Sequence, residues 1–198
     1  MQNSTSKVRV LTGTAMLGAV AAVLMYLEFP IPIMPAFVKL DVSELPALIA
    51  SFAYGPVSGI LACLIKNLIK LPSTSTAAVG ELFNFVMGAL FVGVAGLIYK
   101  RNKTRKGAIV GALLGALVMA VVSVPYNYFI VYPAYVVMYH LPLDAIIGMY
   151  QAINPNVNGL LACLLVFNLP FTFVKGALDA VLCFLVYKPL SPILHGRK

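Results

Sequence analysis

Charged side chains are scarce in this sequence: Asp, Glu, Lys and Arg together make up 10% of its 198 residues, whereas 61% are hydrophobic. The mean hydropathy is +0.96. Because a soluble domain carries roughly 25% charged residues, this composition excludes that class. We therefore predict an all-α integral membrane protein.

Cysteine and histidine are also few, which limits catalysis and metal binding. The three cysteines, Cys63, Cys163 and Cys183, lie far apart in apolar runs without a C-x-x-C pair, and we predict small buried hydrophobic residues. With only His140 and His195, the sequence has no H-E-x-x-H motif, no G-x-x-x-x-G-K-[ST] loop and no Ser/His/Asp set. We expect no enzyme, no metal and no cofactor, and keep a small integral-membrane enzyme as an alternative.

Acidic residues number 6 against 14 basic ones, and the net charge is +8. The basic residues form short clusters beside apolar runs rather than a polar face with interleaved aromatics. This pattern favours membrane topology over nucleic-acid binding.

Gly55-Pro56 interrupts an apolar run and leaves two alternatives, one kinked helix or two short helices folded back on each other. One helix would give five spans, with the basic loop 100–106 on the outer side together with Asp41 and Glu44. That arrangement contradicts the positive-inside rule. Two helices give six spans and place the basic loop and both termini in the cytoplasm, and we adopt this topology.

The chain is therefore predicted to form one membrane domain, residues 1–198. The six spans are expected at residues 8–27, 43–54, 57–71, 78–99, 107–132 and 160–187. The second and third are shorter than the roughly 20 residues that a spanning helix needs. An outer lid loop, 28–42, is stiffened by prolines, and an outer loop, 133–157, carries a short helix near 143–152.

Polar residues from different spans share the outer half of the membrane in this topology. They are Lys39, Asp41, Lys66, Asn67, Glu81, Asn84, Asn127, Thr172 and Lys175. This distribution predicts an outward-facing pocket rather than a pore. Intramembrane charges are usually paired or functional. Glu81 thus either pairs with Lys66 or binds a ligand, and Lys175 has Asp179 one turn away as a neutralising partner.

Small residues line one face of the first span. Ala15 and Ala19 form a small-x-x-x-small pair, which allows another helix to approach closely in lipid. From spacing alone, packing within the chain is favoured over a partner surface.

Several motifs, in order along nearly the whole chain, resemble the riboflavin-binding S component of energy-coupling factor (ECF) vitamin transporters. They are Phe29-Pro30-Ile31-Pro32, Lys39-Leu40-Asp41-Val42-Ser43-Glu44-Leu45-Pro46, Tyr54-Gly55-Pro56, Lys66-Asn67-Leu68, Gly80-Glu81-Leu82-Phe83-Asn84-Phe85, Asn127-Tyr128 and Pro170-Phe171-x-x-x-Lys175-Gly176. The resemblance implies a six-helix subunit in the prokaryotic plasma membrane that captures riboflavin from outside. It also implies a transmembrane coupling subunit and two ABC-type ATPase subunits as partners.

The resemblance shifts the expectation for Ala15 and Ala19 to a surface for the coupling subunit. The loop after the first span would be a gate, and the subunit would topple in the bilayer to deliver its vitamin. A second alternative is an S component for another flavin or vitamin.

The resemblance also implies a ligand-binding set. It comprises Lys39, Leu40, Asp41, Glu81, Asn84, Asn127, Tyr128, Asn168, Thr172 and Lys175. Asn127, Thr172 and Lys175 would bond the pyrimidine-dione edge of riboflavin, and Glu81 and Asn84 its ribityl hydroxyls. The family usually has Asn where this chain has Thr172, so one bidentate amide contact would be either missing or supplied by Asn168.

Overall fold

A computed structural model describes the backbone of residues 2–74, 76–140 and 142–195. The predicted cytoplasmic C-terminus, from residue 196 on, lies outside the described residues. The helices are α1 Gln2–Tyr26, α2 Glu44–Tyr54, α3 Pro56–Lys70, α4 Val79–Arg101, α5 Arg105–Tyr126, α6 Tyr132–Tyr139, α7 Leu143–Gln151, α8 Leu160–Cys163 and α9 Leu169–His195. A two-stranded antiparallel sheet, β1 Phe29–Pro30 and β2 Lys39–Leu40, lies in the loop between α1 and α2.

Within the described residues, four helical stretches are long and apolar enough to cross a membrane. They are Lys7–Tyr26, Val79–Arg101, Arg105–Met138 and Leu160–Val186. The helices α2 and α3 have 11 and 15 residues, below the roughly 20 that a spanning helix needs.

The break between α2 and α3 lies at Gly55, where the sequence predicts it. Gly55 has φ +106°, a conformation that favours glycine, and Pro56 begins α3, where its missing N–H costs nothing. The two helices then pack closely. A Cβ atom at Gly59 would lie 2.6 Å from Ser51 Cβ and 2.9 Å from the carbonyl oxygen of Ala47. Only glycine permits this approach of α2 and α3.

Two π-helical turns interrupt the long helices, Asn127–Val131 after α5 and Leu164–Asn168 between α8 and α9. The fifth span is predicted to end at residue 132, with a loop from residue 133, but α6 continues the helix to Tyr139. Pro133 is tolerated because it falls in the first turn of α6, directly after the π turn. The short outer helix predicted near 143–152 is present as α7.

The core has two parts. One is built by α2, α3, α4, α5 and α9 around fully buried residues such as Leu48 and Phe91. The other surrounds Tyr132 and Tyr150, where α6 and α7 meet α8 and the second π turn. All three cysteines are buried and unoxidised, as predicted. Large apolar side chains on the outside of α1, α4, α5 and α9 are exposed, as expected for a surface that faces lipid.

Candidate ligand-binding site

A cavity of about 180 Å³ lies between the α1–α2 loop, the first turns of α4, the π turn after α5, and α9. Eight of the ten predicted ligand-binding residues line it: Lys39, Asp41, Glu81, Asn84, Asn127, Asn168, Thr172 and Lys175. They come from five separate parts of the chain, so they become neighbours only through folding.

The two other predicted residues, Leu40 and Tyr128, are not among the residues that line this cavity. Leu40 pairs with Phe29 in the small sheet. Tyr128 is 39% exposed, and its ring packs edge-on against Phe129 with the centroids 4.9 Å apart. Both follow a lining residue directly in the sequence, and consecutive side chains on a strand or helix point in different directions.

Sequence reasoning missed several residues that line the cavity. They are Met25, Glu28, Phe37, Val38, Glu44, Lys70, Thr76, Gly80, Phe83, Met87, Met119, Val131, Tyr132, Tyr135 and Phe171. The sequence places Glu44 on the outer side with Asp41 and within a motif of the family, but assigns it no ligand contact. The aromatic residues gave no signal, because Phe and Tyr are common throughout apolar and interfacial segments.

Lys175 of α9 joins the cavity to the α1–α2 loop. Its Nζ atom lies 2.8 Å from Asp41 Oδ2 and 3.2 Å from Glu44 Oε2. The predicted pairing of Lys175 with Asp179 is therefore wrong. Both carboxylate oxygens of Asp179 are buried and have no hydrogen-bond partner among the described residues. Spacing along one helix does not show the two acidic residues, Asp41 and Glu44, that the loop and α2 bring to this lysine.

Asp41 is buried in the loop but remains ionised. Burial opposes its charge, yet Lys175 and Lys66 outweigh that cost and hold the pKa of the Asp41 carboxyl well below its usual range. Its Oδ1 atom also accepts a hydrogen bond from the backbone N–H of Ser43 at 2.8 Å. These contacts anchor the end of the loop to the start of α2.

Lys66 does not pair with Glu81, so this alternative is wrong. Its fully buried Nζ atom donates to Glu44 Oε1 and to Ser43 Oγ, both at 2.6 Å. Glu44 begins α2, which packs directly on α3. Glu81 instead accepts hydrogen bonds from the hydroxyls of Thr74 at 2.7 Å and Thr76 at 3.0 Å, in the segment before α4.

The amides of the cavity are held by specific partners. Asn127, the first residue of its π turn, donates from Nδ2 to the carbonyl of Ser123 at 2.8 Å. Asn168, the last residue of the other π turn, accepts at Oδ1 from the Tyr150 hydroxyl at 2.7 Å. In the described part of the chain, the buried Oδ1 of Asn84 has no hydrogen-bond partner. π turns are frequent at functional sites, and here both carry lining amides.

The α1–α2 loop covers the cavity. Phe37 makes edge-on contacts with Tyr132, Tyr135 and Tyr150, at centroid distances of 6.2 to 6.4 Å. At the base of the loop, Glu28 Oε1 accepts from Lys39 at 2.9 Å and from Lys70 at 3.4 Å. The loop is thus held at its tip by aromatic contacts and at its base by ion pairs.

The small-residue pair of α1 faces away from the chain. Ala15 and Ala19 are exposed, whereas Gly18, Ala21 and Ala22 on the other face are buried. The expectation from spacing, that Ala15 and Ala19 pack within the chain, is therefore wrong.

The model of the family described as "ECF transporter, substrate-specific component" matches residues 9–187. The chain belongs to this family. Because the family consists of transport components, this S component is a membrane transport protein and not an enzyme.

Similar proteins include two curated relatives and one solved structure. Riboflavin transporter RibU of Staphylococcus aureus is 33% identical over 91% of this chain and 89% of that protein. Riboflavin transporter FmnP of Bacillus subtilis is 34% identical over 97% of each. The solved structure, of the S component of a bacterial ECF transporter, matches with TM-score 0.73 and 32% identity over 98% of this S component and 99% of that chain.

Proposed function

We propose that this S component binds riboflavin in the cavity beneath the α1–α2 loop. The observation that carries the proposal is the combination of aromatic walls with polar groups that still have bonding capacity. The ammonium group of Lys175 has three N–H donors and gives one to Asp41 at 2.8 Å. Glu44 Oε2 lies 3.2 Å away as an ion-pair partner without a hydrogen bond among the described residues, so donors remain for a ligand. Asn84 Oδ1 lacks a partner among the described residues.

Riboflavin has the complementary chemistry. Its flat ring system is apolar at the dimethylbenzene edge and carries donors and acceptors at the dione edge, and its ribityl chain carries hydroxyls. Asn127, Asn168, Thr172 and Lys175 are assigned to the dione, and Glu81 and Asn84 to the ribityl hydroxyls. Lys39 and Asp41 belong to the site as residues of the closing loop. The names of the two relatives support riboflavin over another vitamin.

The topology proposed with this function has six spans in the prokaryotic plasma membrane. α1, α4, the α5–α6 unit and the α8–α9 unit cross fully, and the hairpin of α2 and α3 contributes two short spans. The basic loop 100–106 and both termini lie in the cytoplasm, so the cavity opens outward. Described cations of this loop are exposed, which supports a position in water.

The proposed partners are an ECF transmembrane coupling subunit and two ABC-type ATPase subunits, which release riboflavin into the cell. The exposed Ala15 and Ala19 on α1 support a close helix–helix contact with the coupling subunit. Riboflavin is the transported ligand, and neither a cofactor nor nucleic acid belongs to this function.

The test is an absorption spectrum of the detergent-purified protein, followed by titration of riboflavin fluorescence. We expect a co-purifying flavin band or saturable quenching, with biotin and thiamine as control ligands that do not compete. A colourless protein that leaves riboflavin fluorescence unchanged would overturn the riboflavin assignment. Binding of a different vitamin would place this chain among S components of other specificity, and Thr172 would then be the first residue to exchange for Asn.

A further inference from the structure

We propose that Tyr150 of α7 is a positioning residue, whose hydroxyl fixes the carboxamide of Asn168 with its NH₂ group toward the ligand. This inference rests on the proposed function, because it concerns how the same cavity recognises the edge of its ligand. Tyr150 is not among the residues that line the cavity, so it acts through Asn168.

The hydroxyl groups form an ordered chain. Tyr132 and Tyr150 are hydrogen-bonded through their hydroxyls, and Tyr150 donates to Asn168 Oδ1 at 2.7 Å. Each phenol has a single proton to donate. Because Tyr150 gives its proton to Asn168, Tyr132 must donate to Tyr150, and the chain runs from Tyr132 through Tyr150 to Asn168.

Burial stabilises this direction of the hydrogen bonds. Tyr132, Tyr150 and Asn168 are 1%, 0% and 6% exposed. Burial also raises the pKa of Tyr150 to about 12, so the hydroxyl keeps its proton at physiological pH. If the Asn168 amide rotated, the buried Tyr150 hydroxyl would lose its acceptor. Because an unsatisfied buried polar group costs free energy, this rotation is opposed.

The ring of Tyr150 is held on two sides. Phe37 of the closing loop packs edge-on against it at a centroid distance of 6.2 Å, and the ring of Phe167 lies tilted against it at 5.3 Å. The hydroxyl therefore has a fixed position relative to Asn168. Since Phe37 also contacts Tyr132, the side chains of both Tyr132 and Tyr150 lie directly under the loop.

The second amide of the cavity has the opposite orientation. Asn127 uses its NH₂ group on the Ser123 carbonyl, at 2.8 Å, which leaves its carbonyl oxygen for the cavity. Asn168 uses its oxygen on Tyr150 and keeps its NH₂ group. One donor and one acceptor from two helices match a ring edge on which a carbonyl and an N–H are neighbours. An imide or lactam edge has this pattern, and the dione edge of riboflavin is one example.

A double-mutant cycle with riboflavin tests the proposal. Tyr150→Phe removes the hydroxyl and keeps the ring, and we expect affinity to fall roughly 3- to 10-fold, as for one neutral hydrogen bond. Asn168→Ala should weaken binding by about tenfold or more. In the Asn168→Ala background, Tyr150→Phe should have no further effect on affinity, because the amide through which Tyr150 acts is absent.

The matched control is Tyr99→Phe. It removes a hydroxyl and keeps the ring that packs on Phe52, far from the cavity.

A readout without ligand uses asparagine-labelled protein in detergent. The side-chain amide resonances of Asn168, assigned by their loss in Asn168→Ala, should shift in Tyr150→Phe and, to a smaller extent, in Tyr132→Phe, but not in Tyr99→Phe. Unshifted resonances would overturn the positioning role, even if riboflavin does not bind.

If riboflavin binds and the effects of Tyr150→Phe and Asn168→Ala on affinity are additive, the positioning role fails while the proposed function stands. If the unmodified protein does not bind riboflavin, the proposed function fails.

Discussion

Lys175 Nζ lies 2.8 Å from Asp41 Oδ2, and this contact ties α9 to the loop that covers the cavity. Glu44 Oε2 lies 3.2 Å from the same ammonium group, and Lys66 holds the other oxygen of Glu44 at 2.6 Å. Two lysines and two carboxylates thus form one buried network between α2, α3, α9 and the loop. Partial removal of such a network costs more than its net contribution to stability, because it leaves a buried charge unpaired.

The first prediction concerns the ammonium group of Lys175. In Lys175→Met, riboflavin affinity should fall by about 10- to 100-fold, because a charge-assisted hydrogen bond is lost. The free energy of unfolding should also fall, by about 3–5 kcal/mol, because Asp41 loses its ion-pair partner while Glu44 keeps Lys66. Fluorescence titration and thermal unfolding in detergent measure the two effects.

Adding Asp41→Asn to Lys175→Met should recover part of the lost stability. The exposed Lys106→Met serves as control. Unchanged affinity in a folded Lys175→Met variant would remove this residue from the site.

The second prediction concerns pH. The pKa of Asp41 is lower in the folded protein than in the unfolded chain, so its ionised form stabilises the fold above the unfolded value of about 4. As pH falls below about 4 toward the lower folded value, protonation of the unfolded chain removes this contribution. Stability should therefore decline over that range, and the decline should be smaller in Asp41→Asn. Equal slopes of unfolding free energy against pH for the two proteins would contradict the prediction.

The third prediction separates transport from binding. Ala15→Leu and Ala19→Leu add bulk to an exposed face of α1 and touch nothing in the cavity. We expect cellular riboflavin uptake to be lost while the purified variants bind riboflavin as before. Val110→Leu, exposed on α5 instead of α1, is the matched control and should transport normally. Weakened binding by the purified alanine variants would show that the pair serves the fold instead of a partner.

The fourth prediction compares two glycines. Gly59→Ala forces a Cβ atom to within 2.6 Å of Ser51 Cβ and should destabilise the protein by about 1–3 kcal/mol through overpacking. Gly148→Ala in α7 meets nothing within 4 Å and should stabilise the helix by about 0.5–1 kcal/mol. Thermal unfolding of both variants measures the difference. A similar unfolding temperature for the two would mean that α2 and α3 separate at little cost.

Much of the site was predictable because several lining residues are polar groups in apolar segments, where each must have a partner or a function. Asn127, Glu81 and Lys175 stand out in this way. Pairings were not predictable from spacing. Lys66 is predicted at a similar depth to Glu81, but it pairs with Glu44. The rotation of a helix relative to its neighbour depends on packing that the sequence does not state. The contacts of Phe37 were unpredictable for the same reason, since they depend on three tyrosines that are distant in sequence.

Each π turn also changes the phase of the helix that contains it. One extra residue in a turn rotates all later side chains by about 100° relative to an uninterrupted α-helix. The part of the helix before Asn127–Val131 and the part after it therefore keep separate registers, as do the two sides of Leu164–Asn168. Each phase change thus lets one continuous helix direct one set of side chains into the bundle before the turn and a different set toward the cavity at and after it.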